Sequence, residues 1–316
     1  MAVITVTTAL DVVDAGDGVV SLREALAIAN GDNGADTINF HGSLAGKTIT
    51  LTGGELEITT DITINGDVTG DYRADITISG NDTSRIFNIT GGATDAALLS
   101  LTLRDGWSTG KGGALYAVNV NSLTIIDTTI RDSYAGVDDP STPTAWEGSD
   151  PGAEGGAVHV SAGNLWMGNT SLLDNFADGR GGAMVFESGY GVMQNVTIAD
   201  NGTMGEGGGL VVGNMTALDI FSSSIVRNKA TIWMGDGDPG AGGGILVDSY
   251  GYLSLRNSVV AENYANVDMY NGVGTWNDVK GTVTSGYNNV FGSAATVLGN
   301  PDSNANLFGI TQLQLT

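Results

Sequence analysis

The side chains best suited to chemistry gather in two stretches. Residues 136–152 (GVDDPSTPTAWEGSDPG) carry Asp138, Asp139, Trp146, Glu147 and Asp150, and residues 232–240 (IWMGDGDPG) carry Trp233, Asp236 and Asp238. Tryptophan offers a flat apolar face, and carboxylates accept hydrogen bonds from hydroxyls, so the mixture suits a sugar polymer. Tryptophans that pin long loops to the body of the protein explain the same residues. Asp236-Gly237-Asp238 resembles the start of an oxygen-ligand loop, which makes calcium the expected ion, although the twelve-residue EF-hand spacing is absent. The clusters Asp14/Asp17 and Asp67/Asp71/Asp75 are similar.

Between the two stretches stand Asp178, Arg180 and Glu206. Two carboxylates roughly 5–10 Å apart can hydrolyse a glycoside. Acidic calcium ligands beside a base can instead eliminate across a uronide. Asp178 and Glu206 are the candidate acids and Arg180 the candidate base; solvated corner charges are the plain alternative. Only two histidines occur, His41 and His159, so a histidine-based triad is not expected.

A repeat must position these residues. Gly-Gly-small-aliphatic recurs at Gly112, Gly155, Gly181, Gly207 and Gly242, and aliphatic-x-x-Asn recurs at Asn175, Asn201, Asn228 and Asn263, with Ser133 in an earlier copy. The steps are 43, 26, 26 and 35 residues. A fixed period means one stacked unit per copy. Within a unit apolar residues alternate, as in Leu115/Ala117, Leu123/Ile125 and then Ile130, which predicts three short strands per coil of a parallel β-solenoid. Gly and Asn are expected at the corners, where positive φ is needed. The Asn residues also predict an inside ladder of side-chain hydrogen bonds. The two long stretches are then insertions of 17 and 9 residues at one corner, two short corners apart. They would wall a groove on the order of 14 Å wide, with Trp107 at the equivalent corner one repeat earlier. Trp276 lies beyond the last copy.

Ser21-Leu22-Arg23-Glu24 is a capping box, and it predicts a helix over 22–30 that plugs the N-terminal end. Less regular strands are expected at 48–52, 56–64, 76–79 and 86–89. The repeat phrase fades after about Asn266, where a closing segment is expected. One domain over 1–316 follows, divided into a cap region (1–47), coils (48–265) and the closing segment (266–316). The outward positions Tyr116, His159, Val185, Val211 and Leu246 form an apolar stripe. It predicts cover by C-terminal residues or a homodimer contact.

The charge is −23, with 35 acidic and 12 basic residues. Phosphate binding needs Lys and Arg, so nucleic acid is excluded as a partner. Anionic membranes are equally unsuited, and no apolar run is long enough for membrane insertion. Cysteine is absent, which excludes disulfides and thiolate chemistry. Met1 leads directly into a strand, as in a mature domain or one exported without an N-terminal signal.

The opening Gly16-Asp17-Gly18-Val19-Val20-Ser21-Leu22-Arg23-Glu24-Ala25 followed by Ala29-Asn30 resembles that of bacterial right-handed parallel β-helix proteins of the choice-of-anchor Q type. Ile78-Ser79-Gly80-Asn81 and Leu101-Thr102-Leu103-Arg104-Asp105-Gly106 match further phrases of that group. The Gly-Gly and x-x-Asn copies are similar to polymorphic outer-membrane autotransporter repeats, with Leu172, Ile198, Ile225 and Val260 in place of Phe. The resemblance implies an extracellular or cell-surface adhesin that binds a polysaccharide or a surface ligand. The same fold houses pectate-lyase-like enzymes, so a calcium-assisted lyase or a glycosidase is the alternative.

Overall fold

The computed structural model of the chain describes residues 1–32, 34–92, 94–137, 150–231, 242–267, 274–293, 296–297 and 305–309. It is an all-β parallel β-helix with a short N-terminal helix. Among the described residues strands stack coil on coil into sheets of 16, 10 and 7 strands. Among the described residues the pairing is parallel throughout, except where Tyr264–Val267 meets Thr275–Trp276.

One coil runs through Leu115–Val118 and Ser122–Ile126 in the large sheet, Thr129–Arg131 in the second and Tyr134–Ala135 in the third. In the next coil the first two segments fuse into Val158–Gly168. The aliphatic residue after each Gly-Gly stacks on its counterpart, Leu115 on Val158, Val158 on Met184, Met184 on Leu210 and Leu210 on Ile245. These residues alternate inward and are fully buried. Each contributes about 1.5–3 kcal/mol by leaving water.

The two glycines of the phrase have different jobs. The first takes a left-handed conformation, with φ of 67° at Gly181. The second has no room for a side chain: a Cβ at Gly182 would stand 2.2 Å from the Gly208 carbonyl oxygen and 2.3 Å from that of Gly202.

The asparagines correct one expectation. The positive-φ residue at that corner is the one before each Asn: Asp174 (54°), Asp200 (60°), Arg227 (57°) and Glu262 (59°). Turning that residue outward leaves Asn free to point inward, where the ladder forms as expected. Asn201 Oδ1 accepts from the Asn175 backbone N–H at 2.9 Å and from Asn175 Nδ2 at 3.0 Å. Asn228 and Asn263 repeat the pattern. The column begins at Ser133, whose N–H donates to Asn175 Oδ1. Its amides give way to Asp278, whose Oδ1 accepts from Asn263 N–H and Nδ2 and whose own N–H donates to Ser293 Oγ at 2.8 Å. A second inner ladder has mixed residue types and was not expected: Val196 N–H donates to Ser223 Oγ, Ser223 N–H to Ser258 Oγ and Ser258 N–H to Asn289 Oδ1.

The helix spans Leu22–Asn30 with the capping box in place, and Leu22, Ala25, Leu26 and Ala29 are buried. They join the hydrophobic core at its N-terminal end. Early strands lie at Thr48–Thr50, Leu56–Ile58, Ile62–Asn65, Ile76–Ser79 and Phe87–Thr90. Coiling also outlasts the sequence phrase. Val279–Lys280 pairs with Ile245 and Leu246, and Thr282–Tyr287 and Val290–Phe291 add to their sheets. Asn289 and Phe291 fill the inner slots without a Gly-Gly copy, so the stacking survives where the pattern does not.

Candidate functional site

The third sheet sets the order of the corners. Tyr134–Ala135 pairs with Phe176–Ala177, that with Gly202–Thr203, and that with Lys229–Thr231. The stretch from 136 therefore leaves the coil after Ala135, and the stretch from 232 leaves after Thr231. The corners of Asp178 and Glu206 lie between them. Asp138, Asp139, Trp146, Glu147, Trp233, Asp236 and Asp238 lie outside the described residues. Asp150 closes a turn, accepting from Gly152 N–H at 2.8 Å. Trp107 is half-buried and pairs with Tyr134 in the third sheet.

The three expected catalytic residues do not meet at one point. Asp178 is buried: Oδ1 accepts from the Tyr134 hydroxyl at 2.6 Å and Oδ2 from Val137 N–H at 3.1 Å. It fastens the foot of the first long stretch. Arg180 turns to Asp248 (3.3 Å) and Glu154 (3.7 Å), and Glu206 to Lys280 (2.9 Å).

Arg180 and Glu206 belong instead to a row that the sequence reading missed. The residue before each first glycine stacks on the next: Gly112 N–H donates to Glu154 O, Gly155 N–H to Arg180 O and Gly181 N–H to Glu206 O. The row reads Lys111, Glu154, Arg180, Glu206, alternating in sign. Beside it runs the outward stripe Tyr116, His159, Val185, Val211, Leu246 and Lys280.

The apolar middle of that stripe is buried, which corrects the expectation of an exposed apolar face there. His159, Val185 and Val211 are 0% exposed and Leu246 4%. The chain's own corners cover them. A Cβ at Gly181 would stand 2.5 Å from Val185 Cγ2, and one at Gly207 2.6 Å from Val211 Cγ2. Charged side chains close over the top, their apolar stems on the stripe and their heads paired. Lys111 Nζ lies 2.9 Å from Glu154 and 3.7 Å from Glu187.

His159 sits under this lid. Its ring centroid is 5.5 Å from that of Tyr116. Nε2 lies 3.3 Å from Glu154 and 3.5 Å from Glu187, off hydrogen-bond geometry, and neither ring nitrogen has a hydrogen-bond partner. Burial pushes the Glu154 carboxyl up, but His159, Lys111 and Arg180 outweigh it and hold the pKa at about 2. Burial lowers the Lys111 ammonium, and the Glu154 and Glu187 carboxylates more than reverse that.

At the C-terminal end of the row a cavity of about 380 Å³ opens between Glu206, Leu246, Asp248, Ser249, Lys280 and Thr282. It joins two carboxylates, an amine and hydroxyls beside Leu246 and Val247, and its lining is more polar than apolar. Lys111, Glu154, Glu187, Asp248 and Lys280 escaped the sequence reading, which singled out Arg180 and Glu206 before their Gly-Gly pairs and passed over Lys111 and Glu154 at the same position. The alternation of sign at that position was the available signal.

Oxygens of Asp67, Asp71 and Asp75 lie within 4.8 Å of one another. Asp67 already accepts N–H bonds from Gly70, Asp71 and Tyr72, and Asp75 from Val68 and Thr69.

No protein-family model matches the chain, and no curated protein matches it in sequence. Among solved structures it is similar to the crystal structure of pectate lyase Pel9A, with 14% identity and a TM-score of 0.46, over 98% of this chain and 80% of that one. The fold is read from the strand pairing above, and what Pel9A acts on says nothing of this chain. Among the described residues no helix is long and apolar enough to cross a membrane.

Proposed function

We propose that the chain is an extracellular β-helix binding or adhesion module that holds carbohydrate or a surface partner at the corner between 136–152 and 232–240. The cavity beside that corner carries the reading. Glu206, Asp248, Lys280 and Ser249 offer acceptors and donors around Leu246, convergent polar groups of the kind that fix a ligand's orientation. The resemblance of the Ser21–Ala25 phrase to surface β-helix proteins points the same way. Calcium remains a proposed ligand of the long stretches. A glycan array and affinity gels test the carbohydrate reading. Binding is expected, and Glu206→Ala with Lys280→Ala should weaken it about tenfold. Uniformly blank results from folded protein would remove it.

The second reading is a calcium-assisted lyase or a glycosidase in the same groove. The observation in its favour is Lys280 beside Glu206 and Asp248 around one cavity, an amine and carboxylates able to move protons. Incubation with acidic polysaccharides, with and without calcium, tests it by unsaturated products and reducing ends. Activity that survives Glu206→Gln and Lys280→Ala would sink the assignment.

A further inference from the structure

The large sheet has a second outward face, on the half of each coil that follows the row described above. Five consecutive strands each place one aromatic ring there: Trp166, Tyr190, Phe221, Tyr252 and Tyr287. They occupy three adjacent columns of the sheet. Asn164 pairs with Tyr190, and Ala217 with Tyr252. Trp166 pairs with Val192, and Val192 with Asp219. Phe221 pairs with Arg256, and Arg256 with Tyr287. Trp166 is 40% exposed, Tyr190 50%, Tyr252 41% and Tyr287 46%. Solvent-facing strand positions are ordinarily polar, so five rings in series need a reason.

Three of the rings are held in place. The Tyr190 hydroxyl donates to Asp219 at 3.0 Å. The Arg256 guanidinium lies 5.3 Å from the Phe221 ring centre and 5.9 Å from that of Tyr287. Held rings lose little entropy when a ligand stacks on them.

We propose that this face is a docking platform for a neutral polysaccharide laid across the strands. The rings span on the order of 19 Å, four strand spacings, enough for several sugar units. Pyranose rings present C–H faces that stack on aromatic faces. The exposed amides of Asn164 and Gln194 stand among the rings, within the same columns, to meet hydroxyls. Charge selects the occupant. The face carries Asp219 and Arg256, which cancel, on a chain of net charge −23, so it takes a neutral polymer where the rest of the surface repels anionic ones. A protein partner would seal a continuous apolar core, whereas these rings are interleaved with polar side chains. The platform is independent of the corner cavity.

The test is affinity electrophoresis of the intact chain in gels containing hydroxyethylcellulose, galactomannan or dextran, with polygalacturonate as the anionic control. We expect retardation in at least one neutral gel, insensitive to salt. Trp166→Ala with Tyr252→Ala should weaken it at least about tenfold, and Trp166→Phe, which keeps a ring, should retain it. Tyr72→Ala, which removes a more exposed ring from the loop between Ile62–Asn65 and Ile76–Ser79, should leave it unchanged, which separates these rings from exposed aromatics in general. No retardation in any neutral gel, or retardation that the paired alanines leave intact, overturns the proposal. So does a dimer in light scattering that the same alanines dissolve, because the rings would then serve a second copy.

Discussion

Two columns run through the middle coils of this solenoid, each with one residue per coil, and they solve stacking in opposite ways. The inner column repeats one side chain, Asn175, Asn201, Asn228, Asn263. The outer row alternates sign, Lys111, Glu154, Arg180, Glu206. An amide carries both a donor and an acceptor, so identical copies satisfy one another in the dry interior. A charge carries one sign, so stacking at strand spacing under a lid demands its opposite next door. A third column shows the exception that exposure permits. Asp132, Asp174 and Asp200 stack like on like at a solvent corner, eased by Arg131 and Arg227, and burial together with the two neighbouring aspartates raises the Asp174 pKa.

Substitutions rank these solutions. Gly182→Ala damages both columns at once, because its Cβ meets two backbone oxygens that cannot move without parting the coils. A loss of more than about 4 kcal/mol is expected, and urea unfolding measures it. Asn201→Ala strikes the amide column alone. It strands the Asn175 backbone N–H and removes bonds to the Leu172 and Ala199 carbonyls in a fully buried site. About 3–5 kcal/mol should go, and a loss under about 1 kcal/mol would mean that the ladder is ornament.

Glu154→Gln strikes the charge row. The carboxyl is held at about 2 in the folded chain against 4.5 unfolded. Its stabilisation is therefore full above pH 4.5 and drains away as pH falls towards 2, on the order of 3 kcal/mol in all. The variant should have a lower Tm than the parent at neutral pH and the same Tm near pH 2. A gap that persists in acid would show packing rather than charge at work. Asp174→Asn relieves the exposed column and should stabilise by at most about 0.5 kcal/mol at neutral pH. The gain should vanish in acid, where Asp174 is protonated, and differential scanning calorimetry at two pH values checks it.

Much of the solenoid was legible in the chain. Alternation placed the inward residues, the phrase set the coil length, and Ser21 with Glu24 marked the helix start. The misreadings came from neighbours in sequence that exchange roles. Asn tolerates left-handed φ and also builds ladders, so the sequence reading gave Asn175 both tasks, whereas Asp174 takes the turn. Alternation put His159 outward and said nothing of what lies above it. That lid comes from Glu154 and Glu187, and from Lys111 in the coil before, which periodicity along one strand does not connect. The second inner ladder hid because one slot is filled by three residue types, Val196, Ser223 with Ser258, and Asn289. The place of the long stretches was legible from the two irregular steps, since an insertion changes the count without changing the register.

Asp278 gives the amide column a direction. Each Asn passes its donors forward to the oxygen of the next, and a carboxylate can receive them but has no amide hydrogen to hand on. The run of side-chain amides is thus terminated chemically, and only the Asp278 backbone N–H passes on, to Ser293 Oγ. Copying a 26-residue unit within 175–228 would insert a link with both ends matched, so the protein can lengthen there by tandem duplication of its coding sequence. A copy placed after Asp278 would meet a carboxylate that has no amide hydrogen to give it. Variation in length among descendants of such a chain should accordingly fall in its middle and spare its C-terminal end.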